Sequence, residues 1–346
     1  MSFKFKILSI DGGGIRGIIP AIILAEIEKR TGKRIYEMFD LIAGTSTGGI
    51  LALGLTKPNP LNPKEPDYTA EDAIDFYRKE GKRIFYEPLM ERFTKTDDMI
   101  RPKYASEGRE QVLEEYFRDT TLKKSLKPVF LTSYDIELRM PIFFVSNQES
   151  EKKGENFCKV CHGFTMKQAA MATSAAPSIF EPYHLPTIQT KSGFYTLVDG
   201  GVFATNPTSL AIMEAIIDAR EAGEKLNLDE ILVVSLGTGS LTRKFAYDRA
   251  KNWGLIGWVE PLMNILMDST GESVANQLEQ LLPQVQGYPK QYYRFQAPLN
   301  EANDDMDDAS DENLRLLEEL ANQIMAERER DLDNLCQQLI KQVQLV

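Results

Sequence analysis

The chain is poor in the residues from which many familiar sites are built. It has two histidines, His162 and His184, three cysteines and two tryptophans among 346 residues. An odd and sparse set of cysteines is typical of reduced thiols and excludes a disulfide framework. Neither histidine lies in a recognisable motif, which argues against a histidine base. We expect no metal and no cofactor.

Basic charge and long apolar runs are also scarce. The 40 basic and 51 acidic side chains give a formal net charge of −11, which excludes nucleic acid as a partner and electrostatic docking on anionic membranes. No stretch approaches the roughly 18 apolar residues that span a bilayer, and the N-terminal residues do not resemble a signal peptide. We therefore expect a cytoplasmic protein, for which the charge leaves a neutral or interfacial lipid substrate open.

Apolar runs alternate with helical patterns, which predicts an α/β fold. Several runs are continuously apolar, as in a sheet covered on both faces. A capping box at Thr69 and Asp72 and an Asn206-Pro207 start signal each predict a helix. We expect a catalytic domain over residues 1–300, with an acidic connection and C-terminal helices, 301–346, packed on it. The predicted strands are Phe5–Ile10, Phe39–Ala43, Pro128–Tyr134, Pro141–Val145, Phe194–Val198 and Ile231–Leu236.

Residues 39–55, FDLIAGTSTGGILALGL, contain the pattern G-x-S-x-G around Ser46. An apolar run precedes the pattern and a helical run follows it, as a nucleophile elbow requires. Gly44 and Gly48 give the strand and the helix room to approach each other. The pattern also fits a glycine-rich turn that packs closely and has no chemical role.

A serine nucleophile needs a base, and two candidates exist. Asp135 followed by His162 or His184 has the chain order of a hydrolase triad. Alternatively, a predicted strand brings Asp199 to the carboxyl edge of the sheet, with Gly200 and Gly201 forming a turn after it. Asp-Gly-Gly is equally suited to an ordinary turn.

Residues 11–17, DGGGIRG, fit the dinucleotide spacing G-x-G-x-x-G at Gly12, Gly14 and Gly17. A dinucleotide site also needs an acidic residue at the end of the second strand. Asp40 has about the right distance, but it opens its predicted strand. A glycine turn at a helix N-terminus also suits an oxyanion hole, because bare N–H groups can approach the negative charge.

Together and in this order, DGGGIRG, GTSTG at 44–48 and DGG at 199–201 resemble the patatin-like phospholipases. The similarity continues through ATSAAPSIF at 172–180 and LVDGGVFATNP at 197–207. It implies a three-layer α/β/α fold with a mostly parallel sheet, and hydrolysis of acyl esters of phospholipids or galactolipids without calcium. It also implies a catalytic dyad without histidine: Ser46 as nucleophile, Asp199 as general base, and an oxyanion hole at Gly12, Gly13 and Gly14 supported by Arg16.

Two other hypotheses stay open at this stage. The chain could be a storage or binding protein on the same fold, or a nicotinamide enzyme. CKVCH at 158–162 fits the haem-attachment pattern, but buried or surface thiols explain it more simply. The G-T-G at 237–239 could bind phosphate or form a strand-end turn. Residues 253–267 hold both tryptophans and predict a helix from Pro261, either a lipid-facing lid or a core helix.

Overall fold

The computed structural model describes residues 3–85, 103–147, 152–154 and 156–341. Its described part contains one sheet in which strands are buried on both faces. The strands are β1 Phe5–Ile10, β2 Leu41–Thr45, β3 Val129–Asp135, β4 Met140–Val145, β5 Lys152–Lys153, β6 Cys158–Val160, β7 Tyr183–Pro186, β8 Phe194–Asp199, β9 Ile231–Leu236 and β10 Tyr292–Phe295.

The sheet is parallel where the motifs lie. Strands β10, β9, β1, β2 and β3 are neighbours in that order and all run the same way. Beyond β3, strand β4 is antiparallel and is followed by β6 and β5. Strand β8 also pairs with β3, and it is antiparallel. Asp199 thus lies beside the carboxyl end of parallel strand β2, as expected, but the strand that carries it is antiparallel.

Helices cover both faces of the sheet, which confirms the three-layer α/β/α fold. Alternate residues of β1 enter different cores: Leu8 and Ile10 face one layer and Ile7 faces the other. The first layer includes α1, α3, α4, α5, α6, α11 and α12, and the second includes α8 and α10. The helices are α1 Ile18–Thr31, α2 Ile35–Met38, α3 Thr47–Gly54, α4 Ala70–Ile84, α5 Ser106–Phe117, α6 Met166–Thr173, α7 Gly201–Ala204, α8 Thr208–Glu221, α9 Tyr247–Ala250, α10 Leu255–Leu281, α11 Asp311–Glu327 and α12 Glu329–Ile340.

Element boundaries follow the local signals with small shifts. The capping box of Thr69 and Asp72 starts α4 as predicted. Helix α8 begins one residue late, at Thr208, and Asn206 Oδ1 accepts a hydrogen bond from the Thr208 N–H at 3.0 Å. Pro261 does not start a helix but lies inside α10. A proline inside a helix removes one N–H donor and crowds the carbonyl four residues before it, so this position in a helix of 27 residues goes against the local preference.

The C-terminal helices lie on the sheet domain. Arg30 of α1 forms ion pairs with Glu329 and Asp333 of α12, and Lys6 Nζ donates to the Leu339 carbonyl at 2.9 Å. Buried leucines of both helices join the core of the first layer. No helix in the described ranges is long and apolar enough to cross a membrane.

Candidate active site

Ser46 occupies a sharp turn between β2 and α3. Its backbone has φ 55° and ψ −123°, a left-handed region that non-glycine residues rarely adopt. The Ser46 N–H donates to Thr173 Oγ1 at 2.9 Å, and Thr173 Oγ1 donates to the Thr132 carbonyl at 2.7 Å. Such strain persists only where the surroundings fix the conformation, and it is typical of functional turns.

The turn also depends on backbones that approach without side chains between them. A Cβ on Gly48 would overlap the carbonyl of Ile10 at the end of β1. A Cβ on Gly44 would overlap the carbonyl of Gly48 in the same way. Both glycines are therefore required by close packing, as their spacing in the elbow pattern predicts.

Strands β2 and β8 meet end to end along the same side of β3. The last residue of β2, Thr45, lies opposite Thr132 of β3, and the last residue of β8, Asp199, lies opposite Ser133. Because β2 and β8 run in opposite directions, their last residues lie next to each other, and the polypeptide leaves both strands at the same point of the sheet. This register brings Ser46, the residue after β2, to Asp199.

The Asp199 carboxylate is 1% exposed and has one oxygen available. Its Oδ1 accepts a hydrogen bond from the Gly201 N–H at 2.7 Å. Its Oδ2 has no ordinary hydrogen-bond partner among the described residues. Burial raises the pKa of Asp199 to about 6, and the Ser46 hydroxyl, the Gly201 N–H and the charge of Arg109 oppose that rise. The carboxylate can therefore accept a proton near neutral pH.

The glycine loop after β1 lies beside the same turn. The Gly12 N–H donates to the Thr205 carbonyl at 3.0 Å, so it is not free to bind an oxyanion. This corrects the expectation for Gly12. The N–H groups of Gly13 and Gly14 have no acceptor among the described residues. Arg16 supports the loop, because its Nε donates to the Gly13 carbonyl at 3.1 Å.

Contacts that the motifs do not reveal hold the loop in place. Gly14 has φ +60°, and a Cβ there would overlap the Met306 carbonyl. Thr238, from the G-T-G turn, donates to the Gly12 carbonyl at 2.6 Å, so that turn supports the glycine loop. Asp11 forms a buried ion pair with Arg294 of β10 at 2.6 Å, and burial raises the pKa of Asp11.

An apolar cavity of about 540 Å³, including its open mouth, adjoins Ser46. Its lining is mostly aliphatic and aromatic: Gly14, Ile15, Ser46, Thr47, Ile50, Phe76, Tyr77, Gly81, Ile84, Phe85, Arg109, Ser174, Ala176, Ile179, Phe180 and Met306.

Comparison with known proteins identifies the family of the chain. Residues 8–212 match the family described as "Patatin-like phospholipase". The chain belongs to the patatin-like phospholipase family. It is 30% identical to "Patatin-like protein 1" of Arabidopsis thaliana, over 93% of this chain and 81% of that protein. It is 30% identical to "Patatin-04/09" of Solanum tuberosum, over 90% of this chain and 81% of that protein. It is 33% identical to "Probable inactive patatin-3-Kuras 1" of the same plant, over 78% of this chain and 72% of that protein.

Family membership supports lipid acyl hydrolase activity, and the geometry does not assemble the competing sites. His184 lies on β7 opposite Thr196, three residues before Asp199. The Asp135 carboxylate accepts N–H groups of Glu137, Leu138 and Thr196, and no histidine bonds to it in the described ranges. The Asp40 carboxylate accepts the Lys6 N–H near the start of β1, whereas the glycine loop follows the other end.

The structure also distinguishes the interpretations of segments 158–162 and 253–267, and for 158–162 it agrees with the simpler one, buried thiols. Cys158 and Cys161 are buried beside a strand of this patatin-like domain. In α10, Met267 is buried, but Leu255, Trp258, Leu262 and Ile265 are exposed, at 91%, 41%, 46% and 40%. Their spacing of three, four and three residues places these four on one face. The start of α10 is therefore not a core helix.

Two glycines of α3 provide a matched test of the elbow. We expect Gly48→Ala to lower the free energy of unfolding by about 2 kcal/mol, because its Cβ overlaps the Ile10 carbonyl. Gly54→Ala adds the same methyl group in open space and should raise it by about 0.5–1 kcal/mol. Urea denaturation of both variants measures the difference. Equal effects would contradict the close-packing account.

Proposed function

We propose that this protein hydrolyses acyl esters of lipids, as a serine hydrolase of the phospholipase A type with a Ser46–Asp199 dyad. One observation carries the proposal: Ser46 and Asp199 meet at the ends of β2 and β8, and Ser46 lines an apolar cavity. A strained serine, a buried carboxylate with an unoccupied oxygen and an apolar pocket suit acyl transfer.

In the first half of the reaction, Ser46 Oγ attacks the ester carbonyl carbon and Asp199 Oδ2 takes its proton. Negative charge develops on the former carbonyl oxygen. The N–H groups of Gly13 and Gly14 stabilise this oxyanion, since neither is engaged elsewhere in the described structure. The C–O bond then breaks, the leaving alcohol takes the proton from Asp199, and an acyl-enzyme remains.

The second half reverses these roles with water. Asp199 accepts a proton from a water molecule, and the water oxygen attacks the acyl carbon. The same N–H groups stabilise the second tetrahedral intermediate. Its collapse releases the fatty acid and returns the proton to Ser46. The turns at Gly44, Gly48, Gly200 and Gly201 keep the reacting groups in position. No step uses a cofactor.

The cavity provides the reason for a lipid substrate. Its aliphatic and aromatic lining offers an acyl chain the burial that water does not. Phospholipids and galactolipids both present such a chain next to an ester. The relative named probably inactive gives a specific reason to test the alternative, a storage or binding protein on this fold.

The first prediction concerns the dyad. We expect Ser46→Ala and Asp199→Asn each to lower kcat/KM for a short-chain p-nitrophenyl ester at least about a thousandfold, because each removes a reacting group. The kcat/KM of His184→Ala should stay within about twofold of the wild-type value. Circular dichroism checks that all three variants fold. An inactive His184→Ala beside an active Asp199→Asn would establish a triad instead. No turnover by the wild type, and no labelling of Ser46 by a fluorophosphonate, would favour a binding protein.

The second prediction concerns pH. Because Asp199 must be ionised to accept the proton and burial raises its pKa to about 6, kcat/KM should fall about tenfold per unit below that pH. The rate of fluorophosphonate labelling of Ser46 should follow the same curve. The fall of kcat/KM at low pH should persist in the His162→Ala/His184→Ala double variant. If this fall disappears in the double variant, the base is a histidine.

We also propose that the exposed face of α10, formed by Leu255, Trp258, Leu262 and Ile265, contacts the lipid surface. The net charge of −11 leaves apolar contact as the available attraction. Helix α10 is also coupled to the site, because Thr270 Oγ1 donates to Thr205 Oγ1 at 3.3 Å. A cytoplasmic chain could reach its substrate by this peripheral contact.

The third prediction tests that face. The double variant Leu262→Glu/Ile265→Glu should lower hydrolysis of phosphatidylcholine vesicles at least about tenfold, because it places two charges in the lipid contact. Hydrolysis of a soluble ester should change less than about twofold. Ile188→Glu, at an exposed loop position, provides the control. Equal losses on vesicles and soluble ester would contradict a docking role.

Finally, we propose that residues 1–300 form the catalytic domain and that 301–346 belong to the same domain. The Ile15 N–H donates to the Met306 carbonyl at 2.8 Å, which ties the acidic connection to the glycine loop.

A further inference from the structure

Arg109 of α5 is a buried cation without an ion pair in the described structure. It is 1% exposed and lines the cavity that adjoins Ser46. Its Nη1 donates to the Ser174 carbonyl and, at 3.3 Å, to Ser174 Oγ. Its guanidinium lies 4.1 Å from the centre of the Phe180 ring. One nitrogen and one face are therefore occupied, and the group is fixed in orientation.

The remaining two nitrogens form one edge that is enclosed and has no partner in the described structure. Arg109 Nε and Nη2 are buried and have no hydrogen-bond partner among the described residues. On a planar guanidinium these two N–H groups are parallel, and they form the fork that binds two oxygens of a carboxylate or phosphate. A buried charge with unsatisfied donors is costly unless an anion compensates it. Burial lowers the pKa of Arg109 to about 10, so the fork is still charged at neutral pH.

We propose that Arg109 determines substrate specificity by binding the phosphate of a glycerophospholipid through Nε and Nη2. This inference rests on the proposed function, since it places the ester of the same lipid at Ser46. Sugar hydroxyls of a galactolipid are neutral and cannot compensate the buried charge. A phosphodiester supplies both the charge and two oxygens, so Arg109 selects phospholipids over neutral lipids.

Two substrates with identical esters test the proposal. Dihexanoylphosphatidylcholine and dihexanoylglycerol differ only in the phosphocholine group. At pH 8, where Asp199 is ionised, Arg109→Gln should lower kcat/KM for the phospholipid about ten- to a hundredfold, chiefly through KM. Hydrolysis of dihexanoylglycerol should fall by a clearly smaller factor, because loss of the Arg109 charge reaches this substrate only through the pKa of Asp199. Arg109→Lys keeps the charge without the fork and should fall between the two.

Arg83→Gln is the matched control, because Arg83 is a half-exposed arginine of α4 that pairs with Glu115 outside the cavity. Arg83→Gln should leave the ratio of kcat/KM for the two substrates unchanged. An equal loss on both substrates in Arg109→Gln would assign Arg109 a structural role and overturn the proposal.

Binding measurements keep the test valid if Arg109→Gln does not fold or if no ester is hydrolysed. Thermal shifts of the wild type are compared with decyl phosphate, decanoate, decanol and inorganic phosphate. Decyl phosphate should bind at least about tenfold more tightly than each of the others, and Arg109→Lys should reduce that advantage. Equal binding of decyl phosphate and decanol would overturn the anion site. Equal binding of decanoate or inorganic phosphate would overturn its assignment to a lipid phosphate.

Discussion

The site depends on two antiparallel strands that share one side of β3. Strand β2 ends opposite Thr132 and β8 ends opposite Ser133. Ser46, which follows β2, and Asp199, which ends β8, therefore lie next to each other. Thr132 fixes the junction: its Oγ1 lies 2.7 Å from Thr45 Oγ1, and its carbonyl accepts the Thr173 hydroxyl that binds the Ser46 N–H. A slip of one residue would turn each side chain to the opposite face of the sheet. The register of β3 thus sets the geometry of the proposed dyad.

Burial of Asp199 determines how basic its carboxylate is. Removing Asp199 from water raises the pKa of its carboxyl, whereas the Ser46 hydroxyl, the Gly201 N–H and the Arg109 charge lower it. The balance, about 6, is high enough for a useful base and low enough for an ionised one near neutral pH. A solvated aspartate would be ionised but weakly basic, and a buried one without these partners would stay protonated. The close packing that excludes water from the turn is therefore also a chemical requirement.

The parts of this site that could be predicted from the sequence are the local ones. The elbow glycines and Asp-Gly-Gly carry their geometry in a few adjacent residues, so Ser46 and Asp199 could be named as candidates from pattern and resemblance. The direction of β8 could not, because strand direction depends on pairing with a distant segment. The occupied Gly12 N–H has the same cause, since Thr205 is far away in sequence. Arg109 gave no signal, because within SEGREQVLEEYF it looks like any solvated helix arginine.

The distribution of charge separates two kinds of attraction. The chain as a whole is acidic, yet Arg16, Arg109 and Arg294 are buried around the glycine loop and the cavity. Asp11 compensates Arg294, and the Gly13 carbonyl engages Arg16, but the enclosed edge of Arg109 has no partner in the described residues. In an apolar site this charge acts strongly over a short range, while the acidic surface gives no long-range pull on anionic lipid. In the proposed function, apolar contact therefore comes first, and the anion is recognised only after the lipid has entered the cavity.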